Sequence, residues 1–156
     1  DMFNMSPLNK RILWEKVPFT PIINFLGAEI DAETEFVLQA SDALFTEEFT
    51  EEDFDDDGIL RVRIEGKYQE KDGSAYKKNP SCINDIKYGA PEKNAIFLVD
   101  GSFYSSSHRK ELLWYCSEKG DLVGMKDQKR TKVILMNLED FINWCERAFI
   151  TKGIIE

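Results

Sequence analysis

Soft metal ligands are scarce in this chain: one histidine, His108, and three cysteines, Cys82, Cys116 and Cys145. The cysteines are odd in number, widely spaced and form no Cys-x-x-Cys pair. That excludes a disulfide framework and a zinc ribbon, and predicts a reducing, cytoplasmic compartment. Long apolar runs are also missing. The longest are five or six residues, such as Ala95-Ile96-Phe97-Leu98-Val99, against the ~18–20 that a membrane span needs. Asp1-Met2-Phe3-Asn4-Met5 has no basic stretch followed by an apolar one, so no signal peptide is expected there. The chain opens on Asp1 rather than Met, which suits a domain cut from a longer protein.

What the chain has is enough for one packed domain. Its 156 residues are 42% apolar, with three Trp and eleven Phe. The net charge of −9 argues at first against a nucleic-acid partner, but its distribution matters more. Residues 31–57 hold twelve acids and no Lys or Arg, and without them 17 acids stand against 20 bases. One acidic block is therefore joined to a mildly basic body.

Periodicity outlines an α/β fold. Ser6-Pro7 opens a short helix through Leu8, Ile12 and Leu13, and Thr20-Pro21 opens a second through Ile22, Ile23, Phe25 and Leu26. Glu35 to Phe45 reads as a strand, followed by an acidic loop over 46–57 with no periodic pattern. Ile59 to Tyr68 alternates cleanly. Leu60, Val62, Ile64 and Tyr68 fall on one face; Arg61, Arg63, Glu65 and Lys67 fall on the other. Lys71 to Pro91 is dense in Gly, Ser, Asn and Pro and reads as a long connection, with one helical turn near Ile83–Ile86.

Ala95–Val99 and Val133–Met136 are short apolar runs of the kind that form buried strands. Ser105–Ser107 caps a helix through Leu112, Leu113, Tyr115 and Cys116. Asn137 caps a last one carrying Leu138, Phe141, Ile142, Cys145 and Phe149 on its apolar side. Trp114, Trp144 and Phe141 are expected in the core. The order is helix, three strands, helix, strand, helix. Its ending implies at least one parallel pair with a right-handed crossover, within a central mixed sheet flanked by helices.

The sharpest chemical feature is Ile64-Glu65-Gly66-Lys67. A carboxylate and an ammonium two residues apart on a strand point the same way. The carboxylate can hold a hard cation while the lysine orients or helps deprotonate a water, as phosphodiester hydrolysis requires. Asp42, in Ser41-Asp42-Ala43-Leu44-Phe45, is the leading candidate for a second carboxylate, with Asp55, Asp56 and Asp57 as competitors. Asp42 followed by Glu65-x-Lys67, and then by strand, helix, strand, helix, resembles the PD-(D/E)xK, or restriction-endonuclease-like, superfamily. Ile96-Phe97-Leu98-Val99-Asp100-Gly101-Ser102-Phe103 and Val133 to Phe141 are similar to the second half of type IIS restriction cleavage domains. The resemblance covers about residues 20–150. It implies a Mg²⁺-dependent DNA endonuclease in which Mn²⁺ can substitute. Asp42 and Glu65 would be metal ligands and Lys67 the catalytic lysine, with a recognition domain or a homodimer as partner.

Phosphate contact is expected from His108, Arg109 and Lys110 at a helix start, and from Lys129 and Arg130 in the basic loop 126–132. Other readings stand beside this one. The polar row of 61–67 can be a solvated face with cross-strand ion pairs, leaving a nuclease-like fold without activity. The acidic block can be a solvated loop, or a surface of an immunity- or inhibitor-type protein for a basic toxin or enzyme. Asp55-Asp56-Asp57-Gly58 lacks the alternating ligands of a calcium loop. Asp100 at a strand end suggests a PIN-like nuclease but has few later acids to join it. His108 with Ser105–Ser107 has no acid to make a triad.

Overall fold

The computed structural model of the protein describes residues 34–41, 43–69, 73, 75–101, 103–104, 106–122, 124 and 130–149. The helices expected within residues 6–26 lie outside these, as do Asp42, Ser105 and Lys129. The elements are strand β1 (Thr34–Ala40), strand β2 (Leu60–Tyr68), helix α1 (Asn79–Gly89), strand β3 (Asn94–Asp100), helix α2 (Ser106–Cys116), strand β4 (Lys132–Met136) and helix α3 (Leu138–Phe149). They form one mixed sheet in the order β1-β2-β3-β4, flanked by helices. β1 is antiparallel to β2, while β2, β3 and β4 are mutually parallel.

Two parallel pairings need two crossovers, so a helix has to lie between β2 and β3 as well as between β3 and β4. The long connection expected over 71–91 is accordingly a 3₁₀ turn, Ala75–Lys78, running into the three turns of α1. Its Pro and Asn read as loop signals, yet Pro80 sits in the first turn, where a missing N–H costs nothing. Burial of Ile83 and Ile86 on the sheet stabilises the rest.

Both crossovers step in the same direction across the sheet, and α1 and α2 share one face. Ile83, Ile86 and Leu112 pack there with Ala95, Phe97, Val99, Val133 and Leu135. α3 covers the other face, where Phe141, Trp144 and Cys145 meet Leu38, Val62, Ile64, Ile96 and Leu98. Asn137 does cap α3: its Oδ1 accepts from the Asp140 N–H at 2.7 Å. Phe141 and Trp144 are core residues as expected, but Trp114 is half exposed on the outer side of α2. Among the described residues no helix is long and apolar enough to cross a membrane.

The expected strand Glu35–Phe45 stops at Ala40 because the chain turns toward α3, where the Leu44 N–H donates to the Ala148 carbonyl at 2.9 Å. The acidic block beyond it is held by bases rather than left to solvent. Arg147 grips both oxygens of Glu48 at 2.9 and 2.6 Å. Lys132 donates to Asp53 at 3.0 Å and to the Glu48 carbonyl at 2.7 Å. Lys93 donates to the carbonyls of Glu52 and Phe54. The loop also inserts Phe49, fully buried, edge-on against Trp144 at 5.4 Å. Glu47, Glu51, Glu52 and Asp56 remain exposed.

Phe49 therefore acts as the anchor of the acidic segment. Phe49→Ala is expected to cost about 3–5 kcal/mol in urea unfolding; a change below about 1 kcal/mol would show that the loop is not part of the core. The Arg147 side chain holds the Glu48 carboxyl below its ordinary value of 4.5. A carboxyl depressed in the folded state stabilises above its unfolded pKa, and that contribution disappears as pH falls through the folded value. Glu48→Gln should lower stability near neutral pH by about 0.5–1 kcal/mol. The deficit should close under acid; a pH-independent deficit would count against an ionic origin.

Candidate active site

β2 is bonded to a neighbour on each edge, and its odd-numbered side chains face the α1/α2 layer. The register shows this directly. Glu65 pairs with Phe97 and Lys67 with Val99, and both partners belong to the cluster beneath α1 and α2. A charged row inside a helix-covered face needs partners for every charge. Arg61 takes Asp55 at 2.6 Å and Asp57 at 2.9 Å. Arg63 takes Glu92 at 2.6 Å and also pairs with Glu35. Glu65 and Lys67 take each other at 3.1 Å, with side chains only 10% and 9% exposed. The solvated strand face is thus replaced by a row of ion pairs, of which the Glu65–Lys67 pair is the most buried.

The surroundings of that pair come from three elements. From α1, the Cys82 thiol donates to Glu65 Oε1 at 3.6 Å. From β1, Glu35 stands directly opposite Glu65 in the ladder. A cleft of about 320 Å³ opens along this side, lined by Glu35, Arg63, Glu65, Cys82 and Asp85. After β3, Tyr104 lies within electrostatic reach of Lys67 and accepts a hydrogen bond from buried Asn79 at 3.1 Å. Burial raises the Tyr104 phenol above its ordinary pKa, so the hydroxyl stays protonated and able to donate.

Among the described residues, no three His, Cys, Asp or Glu side chains gather around a metal-sized position. Mg²⁺ does not require three, since one or two carboxylates with water and substrate oxygens complete its shell. Among the described residues the polar contacts to Glu65 fall on Oε1, which leaves the other oxygen for a hard cation. Glu65, with a second carboxylate, fits such an ion.

The sequence-nominated residues are not all in one place. Asp42 is outside the described residues. Asp55 and Asp57 are at the Leu60 end of β2, holding Arg61. Arg61 lowers the Asp57 carboxyl pKa through its side-chain hydrogen bond. The carboxylate that the ladder sets against Glu65 is Glu35. Sequence reading missed it, though its odd spacing along an alternating strand was the available signal.

The expected phosphate-contact residues divide between the two ends of the sheet. His108 lies at the end where the parallel strands finish, stacked on Phe103 at 4.2 Å and edge-on to Tyr76 at 5.7 Å. Arg109 is paired with Asp140 at 2.7 Å, and Lys110 is exposed. Arg130 is at the opposite end, where it meets Asp121 at 3.1 Å. Asp121 also receives Lys87 at 2.9 Å, a pair almost completely buried, and Lys87 donates to the Ser117 carbonyl as well. This cluster pins the end of α1 to the turn after α2. Nearby, burial pushes the Cys116 thiol up to about 12, so it is unreactive as a thiolate. No family model, curated protein or solved structure matches the chain.

The buried pair can be tested through stability. Lys67→Met leaves the Glu65 charge buried without its cation and is expected to cost about 3–5 kcal/mol, whereas Glu65→Gln with Lys67→Met should recover most of that loss. Equal losses in the single and double variants, by chemical unfolding, would show that the two groups do not act as a pair.

Proposed function

We propose that the chain is a Mg²⁺-dependent phosphodiester hydrolase acting on DNA, a restriction-type endonuclease core that works in the cytoplasm. The observation that carries this reading is the buried Glu65–Lys67 pair, side by side on a central strand, with Glu65 in the wall of a polar cleft. A carboxylate held beside an ammonium, both largely out of bulk water and the carboxylate bordering a cleft, supports joint action on a ligand, whereas the still more buried Lys87–Asp121 pair ties α1 to the turn after α2. Glu65 would hold the metal, together with either Asp42 or Glu35. When bound, the metal polarises the phosphate and makes a bound water more acidic. Lys67 keeps its ammonium beside Glu65 and donates to the attacking water or to a phosphate oxygen. The cover of α1 restricts water around the pair and strengthens those contacts. Among the described residues Cys82, Cys116 and Cys145 form no disulfide with one another, which suits a reducing compartment.

The acidic-partner reading is weaker on this page. Glu48, Asp53, Asp55 and Asp57 already have internal bases as partners, so much of the block's charge is not presented outward.

Purified protein with Mg²⁺ or Mn²⁺ is expected to nick or cut supercoiled plasmid. Glu65→Ala and Lys67→Ala should each lower that rate by about 10²–10⁴-fold. Absence of cleavage by the unaltered protein, or cleavage that both variants retain, would sink the assignment. Asp42→Ala and Glu35→Ala, compared in the same assay, identify the second ligand as the one whose loss matches that of Glu65.

A further inference from the structure

We propose that the outer edge of β4 is the docking surface for a second copy of this chain, the two β4 strands pairing antiparallel about a two-fold axis at Ile134. The inference is independent of the hydrolase reading and concerns a different part of the molecule.

β4 is the end strand of the sheet. One of its edges bonds to β3, and among the described residues the other bonds to nothing. Val133, Ile134, Leu135 and Met136 are apolar, and the strand has neither a proline nor a bulge to discourage another strand. Lys132, at its start, is its one charge, and that ammonium is turned to Asp53 and the Glu48 carbonyl. An open apolar edge of this kind is a template for another chain. A second copy satisfies it with the same surface, because a two-fold axis makes residue i meet j while j meets i. About Ile134, Val133 meets Leu135 of the second copy and Ile134 meets itself, so apolar side chains stay opposite apolar ones.

The helix beside this edge supplies the charge match. Asp140, Asn143 and Arg147 are spaced three and four residues apart on α3 and so form one stripe along it. They share a cleft of about 330 Å³ with Ile134, Leu135 and Met136 of β4. α3 starts just after Met136, so Asp140 stands at that end of β4. Arg147 stands at the Lys132 end, where it holds the Glu48 carboxylate while Lys132 takes the Glu48 carbonyl. A two-fold axis at Ile134 reverses the stripe. Asp140 then faces Arg147 of the second copy, twice over, with Asn143 facing itself between them. Only an axis perpendicular to the sheet keeps α3 and its copy on the same face, and that axis makes the strands antiparallel. Both charges have capacity left, their side chains being 45% and 47% exposed. Asp140 gives Oδ2 to Arg109 and to the Asn137 N–H, which leaves Oδ1. Arg147 spends one N–H from each Nη on Glu48, and a guanidinium has five. A short strand edge is small for a stable dimer. The α3 stripe extends it on one face. On the other, Leu113 is 46% exposed, on the stripe of α2 whose Cys116 and Ser117 border Val133.

Sedimentation equilibrium of the unaltered protein should show a dimer at about 100 μM. Asp140→Arg sets like charges against each other across the axis, and Arg147→Asp does the same with the opposite sign. Each is expected to weaken the dimer by about 10–10³-fold. Each also removes an internal ion pair, so circular dichroism has to show that the variant is folded. An equimolar mixture of the two variants should regain a dimer with one chain of each, which loss of structure cannot produce. Asn143→Cys, on an exposed position, puts a thiol at the axis. It should give a covalent dimer on mild oxidation where the unaltered protein does not. Should a charge reversal fail to fold, this cross-link decides alone. A monomer at that concentration overturns the proposal and leaves the edge to a strand from another protein. A dimer that survives both charge reversals, or one that Asn143→Cys does not cross-link, also overturns it, because the copies then meet elsewhere.

Discussion

A central strand that carries Arg61, Arg63, Glu65 and Lys67 on a helix-covered face imposes the main constraint on this molecule. Charges cannot be taken from water without partners, so the chain around β2 has to deliver them. The loop before β2 brings Asp55 and Asp57 to Arg61. β1 brings Glu35, and the turn before β3 brings Glu92, to Arg63. Glu65 and Lys67 pair with each other, and α1 lines a cleft beside Glu65. The candidate site lies at this pair, where Glu65 borders open space.

The acidic block obeys the same rule from the other side. Its charge would oppose a compact fold if it stayed together without bases. Lys132 at the start of β4, Lys93 just before β3 and Arg147 on α3 are drawn to it. Phe49 adds an apolar anchor. Asn94, almost fully buried, donates to the Asp53 carbonyl at 2.7 Å and fastens the same segment to the sheet. Three parts of the chain that are distant in sequence are thus joined at the end of the sheet opposite Lys67.

Much of the fold was legible from local pattern. The alternation of 60–68, the apolar runs of β3 and β4, and the Asn137 cap each reflect a period or a short-range hydrogen bond that a linear sequence displays. The helix α1 was underestimated because Pro80, Asn79 and Ser81 are loop formers by propensity, and only burial of Ile83 and Ile86 against the sheet overrides them. Trp114 was misjudged because a large apolar residue carries no record of which side of its helix meets the sheet.

Glu65 and Lys67 were readable as neighbours because the strand repeat of two residues alone puts them on one face. Their burial was not readable, since it depends on two parallel pairings and on the helix between them. Glu35 reached Glu65 only through the antiparallel register, and the segment carrying Tyr104 was tied to the end of β2 only through the close passage at Gly101. The sequence alone settled which residues could do chemistry and which of them shared a strand face, since backbone geometry acts over a few residues. Which charges were neutralised, which pair was buried beside a cleft, and which distant side chains joined it were decided by tertiary structure, because partner choice and desolvation depend on contacts between segments far apart in the chain.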